Sequence, residues 1–231
     1  MANSDIYGRL AAAYVRGYAI RTGQTAIPKR LLEAPLDALA EEDVDALVGH
    51  GAALKLKMYR FKRAPATMAR VRFALGALYS LAPESVCDVG SGRGAFLFPF
   101  LNAFPTTRVD ALDLLDYRVE TLMDVRRGGV ETLFPKVADI CSDALPDKSV
   151  DVVTALEVLE HIPDYAAAIA AATRIARRSV LVTVPAEPDD NPEHIHLLAE
   201  TELTAAFHAV GVTRLNFGRA GQSLTLVANL N

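Results

Sequence analysis

The chain has 231 residues, of which 51% are hydrophobic and 23% charged, and its formal net charge at pH 7 is −4. These values are ordinary for a globular protein with one sizeable core, so they exclude a disordered chain and argue against a general nucleic-acid-binding protein. The longest nearly uncharged apolar stretch, YAAAIAAATRIA, is too short to span a bilayer, and no basic start leads into an apolar signal segment. We therefore expect a cytoplasmic protein with no membrane partner.

The first part of the chain, residues 1–80, is predicted to be an N-terminal helical region. It shows no alternating strand pattern, but it contains stretches with helical spacing, such as Leu54, Met58 and Phe61. Prolines at positions 28, 35 and 65 predict breaks between its helices.

Basic residues dominate this region. Residues 1–80 carry twelve basic and seven acidic residues, whereas the rest of the chain carries twelve and twenty-one. No acidic residue lies between Ala46 and Pro83, and the basic residues of that segment are Lys55, Lys57, Arg60, Lys62, Arg63, Arg70 and Arg72. Either these side chains form a solvated helical face, or they bind a phosphate-bearing or otherwise anionic partner.

Short apolar runs separated by helical segments begin at Ser85 and predict a second unit, residues 81–231. In order, the runs are SVCDVG, RVDALDL, PKVADI, VDVVTAL, SVLVTVP, VTRLNF and SLTLVAN. Such runs predict an α/β fold with a parallel sheet covered on both faces. Only GRAGQ separates the last two runs, which predicts a hairpin and therefore a mixed sheet with an antiparallel strand near its edge. Cys87 and Cys141 lie in or beside these runs, and we expect both to be small core residues.

The segment VCDVGSGRGAF joins the first of these strands to a helix that begins near Ala95. Gly90, Gly92 and Gly94 allow the chain to turn sharply and bring backbone N–H groups and a helix N-terminus close to a ligand. Taken alone, this pattern also satisfies the spacing of a dinucleotide-binding site.

Three aspartates bear on the choice of ligand. Asp88 lies within the strand, where a buried carboxylate suits a cationic amino group better than a pyrophosphate. Asp113, near the end of the second run, is placed to accept hydrogen bonds from ribose hydroxyls, and Asp139, after the third, is placed to meet an adenine amino group.

Five segments in this order, DVGSGRG, DALDL, VADI, SVDVVTALEVLEHIPD and LVTVP, resemble the class I S-adenosylmethionine-dependent methyltransferases over roughly residues 83–231. The resemblance implies a Rossmann-like, seven-stranded mixed sheet with helices on both faces and S-adenosyl-L-methionine as the cofactor. The predicted cofactor-binding residues are Asp88, Gly90, Ser91, Gly92, Gly94, Asp113, Leu114, Asp139, Ile140 and Leu156.

The stretch EVLEHIPD follows the predicted fourth strand and places Glu157, Glu160 and His161 within one helical turn's length of chain. In this fold the fourth strand delivers its carboxyl end to the methyl group that is transferred, which makes Glu157 and His161 the candidate catalytic residues. One interpretation is that Glu157 stabilises the surroundings of the cofactor while Glu160 and His161 hold the loop together.

The other interpretation is a metal site, because NPEHIHLL supplies two further imidazoles at His194 and His196. The ExxEH spacing followed by a later histidine is similar to that of the ubiquinone-pathway O-methyltransferases and the RNA 3′-terminal ribose 2′-O-methyltransferases. That resemblance implies Mg²⁺ or another divalent metal, with Glu157, Glu160, His161 and His194 as ligands. The RNA enzymes have aromatic and acidic residues after their paired histidines, whereas this chain continues with LLAE. The choice between His194 and His196 as the ligand therefore stays open.

These observations predict an O-methyltransferase acting on a small hydroxylated metabolite, with the N-terminal helices covering the pocket and the basic segment gripping an anionic acceptor. A divalent ion would assist by lowering the pKa of the acceptor hydroxyl, and without it His161 or another base would remove the proton. An RNA ribose 2′-O-methyltransferase is the first alternative, disfavoured by 7% aromatic residues and no tryptophan. A non-catalytic subunit that binds S-adenosylmethionine is the second.

Overall fold

A seven-stranded sheet forms the centre of the protein, in a computed structural model that describes residues 5–142 and 145–230. The strand order is β3-β2-β1-β4-β5-β7-β6, and β7 runs antiparallel to both of its neighbours while the other adjacent pairs are parallel. This order confirms the predicted α/β, Rossmann-like mixed sheet. The strands are β1 (Ser85–Val89), β2 (Arg108–Asp113), β3 (Leu133–Val137), β4 (Val150–Leu156), β5 (Ala176–Pro185), β6 (Arg214–Ala220) and β7 (Ser223–Asn229).

The central strands are buried along almost their whole length because both of their faces are covered. Every residue of β1 is buried, and so is every residue of β4 except the last, Leu156. At the edge, β6 has alternating exposed and half-buried residues. A continuous apolar run therefore marks an inner strand here, and an alternating run marks the edge.

Helices cover both faces of the sheet, and eight α-helices lie in the described residues. One face packs against α7 and α8, and the other against α1, α4, α5 and α6. The bounds are α1 (Gly8–Thr22), α2 (Lys29–Glu33), α3 (Glu41–Ala53), α4 (Ala69–Leu81), α5 (Leu97–Ala103), α6 (Asp116–Arg127), α7 (Tyr165–Ile175) and α8 (Glu200–Ala209). None of them has both the length and the hydropathy that a bilayer crossing requires.

The first four helices precede the sheet in the chain but share its core. Side chains of α1 and α4 belong to the same buried cluster as Val86, Val109 and Val152 of the sheet. The predicted boundary between the two units, at residue 80, falls just before the end of α4 and stays a prediction. Residues 1–4 of the first unit and residues 143, 144 and 231 of the second lie outside the described residues.

Two expectations from the sequence are wrong, one for a helix and one for the burial of a cysteine. Leu54, Met58 and Phe61 do not continue one helix: α3 ends at Ala53, Lys55 adopts a left-handed conformation with φ 56°, and residues 58–61 form a separate 3₁₀ turn. Cys87 is buried, but Cys141 is exposed. Cys141 donates its backbone N–H to the Asp139 carboxylate at 2.9 Å, so it lies in a polar turn beyond the end of β3.

The tightest contact outside the sheet joins α1 to α6. Asp124 of α6 is buried and accepts two hydrogen bonds from the Arg21 guanidinium, at 2.9 and 2.8 Å, and a third from Arg127. The helix backbones meet beside this ion pair, because a Cβ atom built on Gly17 would lie 1.8 Å from the carbonyl oxygen of Asp124. Glycine at position 17 is therefore required by close helix packing.

Replacing Gly17 with alanine is expected to lower the free energy of unfolding by about 3 kcal/mol, since the two helices must separate to admit the methyl group. Gly76→Ala in α4 is the matched control: a Cβ atom there meets nothing within 4 Å, so a gain of about 0.5–1 kcal/mol is expected. Urea unfolding followed by circular dichroism measures both. Equal effects of the two substitutions would contradict the proposed packing constraint.

Candidate active site

The glycine loop after β1 is tightly folded. Gly90, Gly92 and Gly94 all have positive φ, at 65°, 58° and 83°. A Cβ atom on Gly90 would lie 2.7 Å from the Val158 side chain, and one on Gly94 would lie 2.3 Å from the Phe98 ring. Only glycine satisfies both the dihedral angles and the space at these two positions.

A cleft of about 560 Å³ opens beside this loop, at the carboxyl ends of β1, β2 and β4. Eight residues predicted for the cofactor or for catalysis line it: Gly90, Gly92, Asp113, Leu114, Asp139, Ile140, Glu157 and His161. The described lining does not include Asp88, Ser91, Gly94 or Leu156. The topology thus gathers residues from four separate sequence segments at one edge of the sheet.

Asp113 holds the loop and the second strand together. One carboxylate oxygen accepts the Gly92 N–H at 2.8 Å, and the other accepts the Leu115 N–H at 2.9 Å. The Arg118 guanidinium lies 3.6 Å away and supplies a compensating charge. Asp113 is therefore fixed in position at the base of the cleft.

Asp88 is buried within β1, as its place in the strand predicts. It is 3% exposed and accepts a hydrogen bond from the Thr154 hydroxyl at 2.8 Å. Burial raises its pKa to about 7, against the hydrogen bonds from Ser91 and Thr154. Its carboxyl group faces Thr154 within the sheet and does not belong to the described lining of the cleft, and a role for Asp88 in cofactor binding stays a prediction.

The part of the cleft where the sequence predicts adenine to bind combines apolar and polar groups. Leu114 is 66% exposed, which is unusual for leucine and leaves its side chain free in the cleft. Ile140, which also lines the cleft, is buried, and the neighbouring Asp139 carboxylate accepts the backbone N–H of residue 141. An apolar slot with a carboxylate at its edge suits a flat base with an exocyclic amino group.

Glu157 adopts a conformation that is rare for a residue with a side chain. Its φ is 56°, its N–H donates to the Thr183 carbonyl at 2.8 Å, and its carboxylate accepts the Thr183 hydroxyl at 2.8 Å. Such strain is retained where the surroundings hold the residue in place, and it is common at functional sites. Thr183 fixes the Glu157 carboxylate at the cleft, whereas Leu156 packs into the core.

Glu160 is the most unusual charged residue of the site. It is 0% exposed, and neither of its carboxylate oxygens has a hydrogen-bond partner among the described residues. Its pKa is raised to about 8, mainly by burial and also by the charges of Glu157 and Asp189, while the charge of Arg70 acts against the rise. A buried carboxyl group without partners is costly unless a ligand completes it.

Two imidazoles face this carboxyl group, each with one nitrogen already engaged. His161 Nδ1 donates to the Glu193 carbonyl at 2.8 Å, and His194 Nδ1 donates to the Asp189 carboxylate at 2.8 Å. These bonds leave the lone pair of Nε2 free on both rings, and His194 Nε2 lies 4.0 Å from a Glu160 oxygen. One ligand atom from each of Glu160, His161 and His194 lies within 4.8 Å of the others. These three residues are called the Glu160 cluster below.

The structure favours His194 over His196 and separates Glu157 from the cluster. His196 donates its Nε2 hydrogen to the Pro163 carbonyl at 3.2 Å and stacks edge-on against Tyr165. Glu157, predicted as a fourth ligand, does not belong to the described group, because Thr183 holds its carboxylate at the cofactor cleft.

A family model described as a methyltransferase domain matches residues 59–215. The chain belongs to this methyltransferase family. Membership confirms the predicted class I S-adenosylmethionine-dependent methyltransferase and sets aside the dinucleotide alternative. The match spans the predicted boundary at residue 80, consistent with a core shared between the early helices and the sheet.

Similar proteins agree with this assignment. The ubiquinone biosynthesis O-methyltransferase of Methylococcus capsulatus is 35% identical over 102 residues, which are 42% of this chain and 41% of that protein. The chain thus aligns with less than half the length of this curated relative. Among solved structures, a SAM-dependent methyltransferase from Aquifex aeolicus has 17% identity and a TM-score of 0.58, covering 73% of this chain and 94% of that one. The N-terminal domain of EvdMO1, solved in the presence of SAH and D-fucose, has 14% identity and a TM-score of 0.54, covering 70% and 82%. These two structures share the fold.

Four polar residues of the methyltransferase site escaped prediction from the sequence. Thr154 and Thr183 sit in otherwise apolar strand runs, and a hydroxyl in such a run is a detectable signal because it needs a buried partner. Arg118 and Asp189 lie in an exposed helix face and a loop, where charged residues are common and carry no such signal.

Asp113→Ala is expected to weaken binding of S-adenosylhomocysteine to the methyltransferase by about tenfold or more, because the loop loses its anchor and the ribose its acceptor. Asp116→Ala, an exposed acid that follows three residues later, serves as control and is expected to leave the affinity unchanged. Isothermal titration calorimetry measures both dissociation constants. Wild-type affinity in the Asp113 variant would show that the cofactor binds elsewhere.

The raised pKa of Asp88 predicts a pH dependence of stability. From about pH 4 to about pH 7 the folded methyltransferase keeps a proton that the unfolded chain releases, so the free energy of unfolding falls as pH rises through this window. Asp88→Asn cannot ionise and is expected to flatten that part of the profile, whereas exposed Asp37→Asn is not. Urea unfolding at several pH values measures the slopes. Glu160 contributes a slope of the same sign in both proteins, so a slope in Asp88→Asn that is as steep as in the wild type would contradict this assignment.

Proposed function

We propose that this methyltransferase transfers the methyl group of S-adenosylmethionine to a hydroxyl oxygen of a small metabolite, with a divalent cation held by the Glu160 cluster. The observation that carries the proposal is the buried Glu160 carboxyl group, which has no hydrogen-bond partner in the described part of the chain and faces two imidazoles whose Nδ1 atoms are engaged elsewhere. His161 also lines the cofactor cleft, so the cluster borders the cleft directly.

The cleft fits the cofactor. Its volume of about 560 Å³ is in the range of nucleoside-sized ligands. Asp113 would accept the ribose hydroxyls, Leu114 and Ile140 would enclose the adenine, and Asp139 would meet its amino group. The bound cofactor supplies a methyl group on a positively charged sulfur, and the fixed Glu157 carboxylate provides negative charge on the same wall.

The Glu160 cluster fits a divalent metal. One carboxylate and two neutral imidazoles are a donor set that suits manganese, iron, zinc or magnesium. The Asp189–His194 hydrogen bond is the kind of outer contact that orients an imidazole toward a metal. A cation would also keep Glu160 ionised at neutral pH despite its burial, which its surroundings alone do not.

The Glu160 cluster, His161 and the surrounding loops would have different roles in the methyl transfer. A metal at the cluster would lower the pKa of an acceptor hydroxyl near neutral pH. His161 lies at the junction of cluster and cleft, where its free Nε2 is available to bind a cation or receive the hydroxyl proton. Loop and strand ends exclude water and align the acceptor oxygen with the methyl group, which is the main requirement of an in-line transfer.

The acceptor class follows from the relative and from composition. The curated relative is named as an O-methyltransferase of ubiquinone biosynthesis, which supports oxygen as the acceptor atom. A low aromatic content of 7% leaves few platforms for stacking RNA bases, which favours a small metabolite over RNA.

The test uses purified protein, labelled S-adenosylmethionine and the small-molecule and RNA fractions of a cell extract. We expect label in the small-molecule fraction, loss of turnover in chelator and recovery with Mn²⁺ or Mg²⁺. Glu160→Gln and His194→Ala are expected to lower turnover at least about 100-fold and to abolish copurification of metal. His196→Ala is the matched control and should retain both.

Each of three other results would indicate a different function. Label in RNA with strong salt dependence would establish the RNA alternative. Full activity of Glu160→Gln without bound metal would remove the metal from the proposal. Tight binding of S-adenosylhomocysteine with no turnover on any fraction would indicate the non-catalytic subunit.

A further inference from the structure

A second cavity lies at the edge of the sheet opposite the cofactor cleft. Its volume is about 800 Å³, and its lining comes from α1, the end of α2 with the segment after it, and the segments that precede β2 and β3. The cofactor cleft is instead lined by residues that follow β2 and β3, such as Leu114 and Asp139. The six residues of β2 hold the two sites about 20 Å apart. This second space, called the Arg16 cavity after its buried arginine, is therefore separate from the cofactor site.

Arg16, in the middle of α1, brings a buried positive charge to this lining. The residue is 5% exposed, and its Nη2 donates to the Leu32 carbonyl at 2.8 Å. Its Nε and Nη1, which carry three of the five N–H donors of a guanidinium, have no hydrogen-bond partner among the described residues. Arg9, the other arginine of the described lining, is engaged by the carbonyls of Leu36 and Leu39 at 2.9 and 3.1 Å. Unsatisfied donors in this cavity therefore belong to Arg16.

The acid buried nearest to Arg16 in the packing of α1 is already engaged. Asp124 packs against the neighbouring Gly17 but accepts its hydrogen bonds from Arg21 and Arg127. The described hydrogen bond of Arg16 goes to a carbonyl instead of an acid, and burial lowers its pKa from the usual value. A buried guanidinium without an acid partner is costly, and an anion in the cavity would remove that cost.

The rest of the lining indicates the kind of anion. Three exposed acids, Glu33, Asp37 and Glu131, share the lining, and they would repel a doubly charged phosphate about twice as strongly as a singly charged carboxylate. The cavity also offers apolar surface for an uncharged body, contributed by Leu10, Pro35, Leu36, Leu101, Pro105 and Val130.

We infer that the Arg16 cavity binds a small monocarboxylate with an apolar body. The carboxylate accepts hydrogen bonds from the Arg16 guanidinium, whose charge and fixed geometry favour this group, and the apolar body packs against the leucine and proline side chains of the lining. Because the cavity and the cofactor cleft lie at opposite edges of the sheet, occupancy of the cavity does not depend on the proposed function.

The test compares three probes with the same pentyl chain: hexanoate, hexanamide and pentyl phosphate. Calorimetry with the full chain at about pH 8, with and without saturating S-adenosylhomocysteine, measures each dissociation constant. We expect hexanoate to bind at least about tenfold more tightly than either other probe, whether or not S-adenosylhomocysteine is present.

Arg16→Met is expected to weaken hexanoate binding about 10- to 100-fold and to abolish the preference for hexanoate over hexanamide. Because this change removes an unpaired buried charge, the melting temperature of the ligand-free protein should not fall. Asn102→Trp, at an exposed residue of the same lining, fills the cavity from its rim and should weaken hexanoate binding at least about tenfold. Arg72→Met, at an exposed arginine of α4, is the matched control and should bind hexanoate as the wild type does. All three variants should bind S-adenosylhomocysteine normally.

Equal affinity of the wild type for hexanoate and hexanamide would overturn the anion site, and tighter binding of pentyl phosphate than of hexanoate would overturn the choice of a carboxylate. Hexanoate binding that is unchanged in Arg16→Met or in Asn102→Trp would show that the probe binds elsewhere. Loss of hexanoate binding in saturating S-adenosylhomocysteine would place the probe in the cofactor cleft and likewise contradict a separate site.

Discussion

The parallel alignment of β1 to β5 is the constraint on which the rest of the site depends. It brings the ends of five strands to one edge of the sheet, so that each following loop contributes to the same cleft. Asp113 converts this alignment into a rigid site by bonding the N–H groups of two of these loops at once. The sheet supplies proximity, and one carboxylate fixes the geometry.

Two buried acids at this edge, Asp88 and Glu160, differ in whether a described residue donates a hydrogen bond to the carboxyl group. Asp88 accepts a hydrogen bond from Thr154, so a partner within the sheet accounts for its burial, and the burial raises its pKa although that hydrogen bond acts in the opposite direction. Glu160 is buried at least as deeply, but no donor reaches it in the part of the chain that the structure describes. Burial and a raised pKa alone do not separate a structural acid from a ligand-binding one; the presence or absence of a donor does.

The sheet could be predicted from the sequence because burial on both faces requires continuous apolar runs, and all seven runs became strands. The glycine loop and Asp113 could also be located, since their spacing reflects a fixed turn. Cys141 and Leu54 could not, because a polar turn and a left-handed residue end the regular elements at points that periodicity does not mark. The choice between His194 and His196 could not be predicted either, because it depends on which ring each hydrogen-bond acceptor engages. Asp189 bonds His194 and Pro163 bonds His196, and the spacing of the histidines in the sequence does not indicate these pairings.

The basic N-terminal region illustrates how folding uses most of a charge excess. Arg21 neutralises buried Asp124, Arg60 reaches Thr121 and Arg63 caps a backbone carbonyl near the start of α1, so these arginines tie the early helices to the rest of the chain. Lys55 and Lys57 are exposed to solvent. The charge excess in this region therefore does not by itself indicate a polyanion, since a nucleic-acid surface needs many free cations in a row.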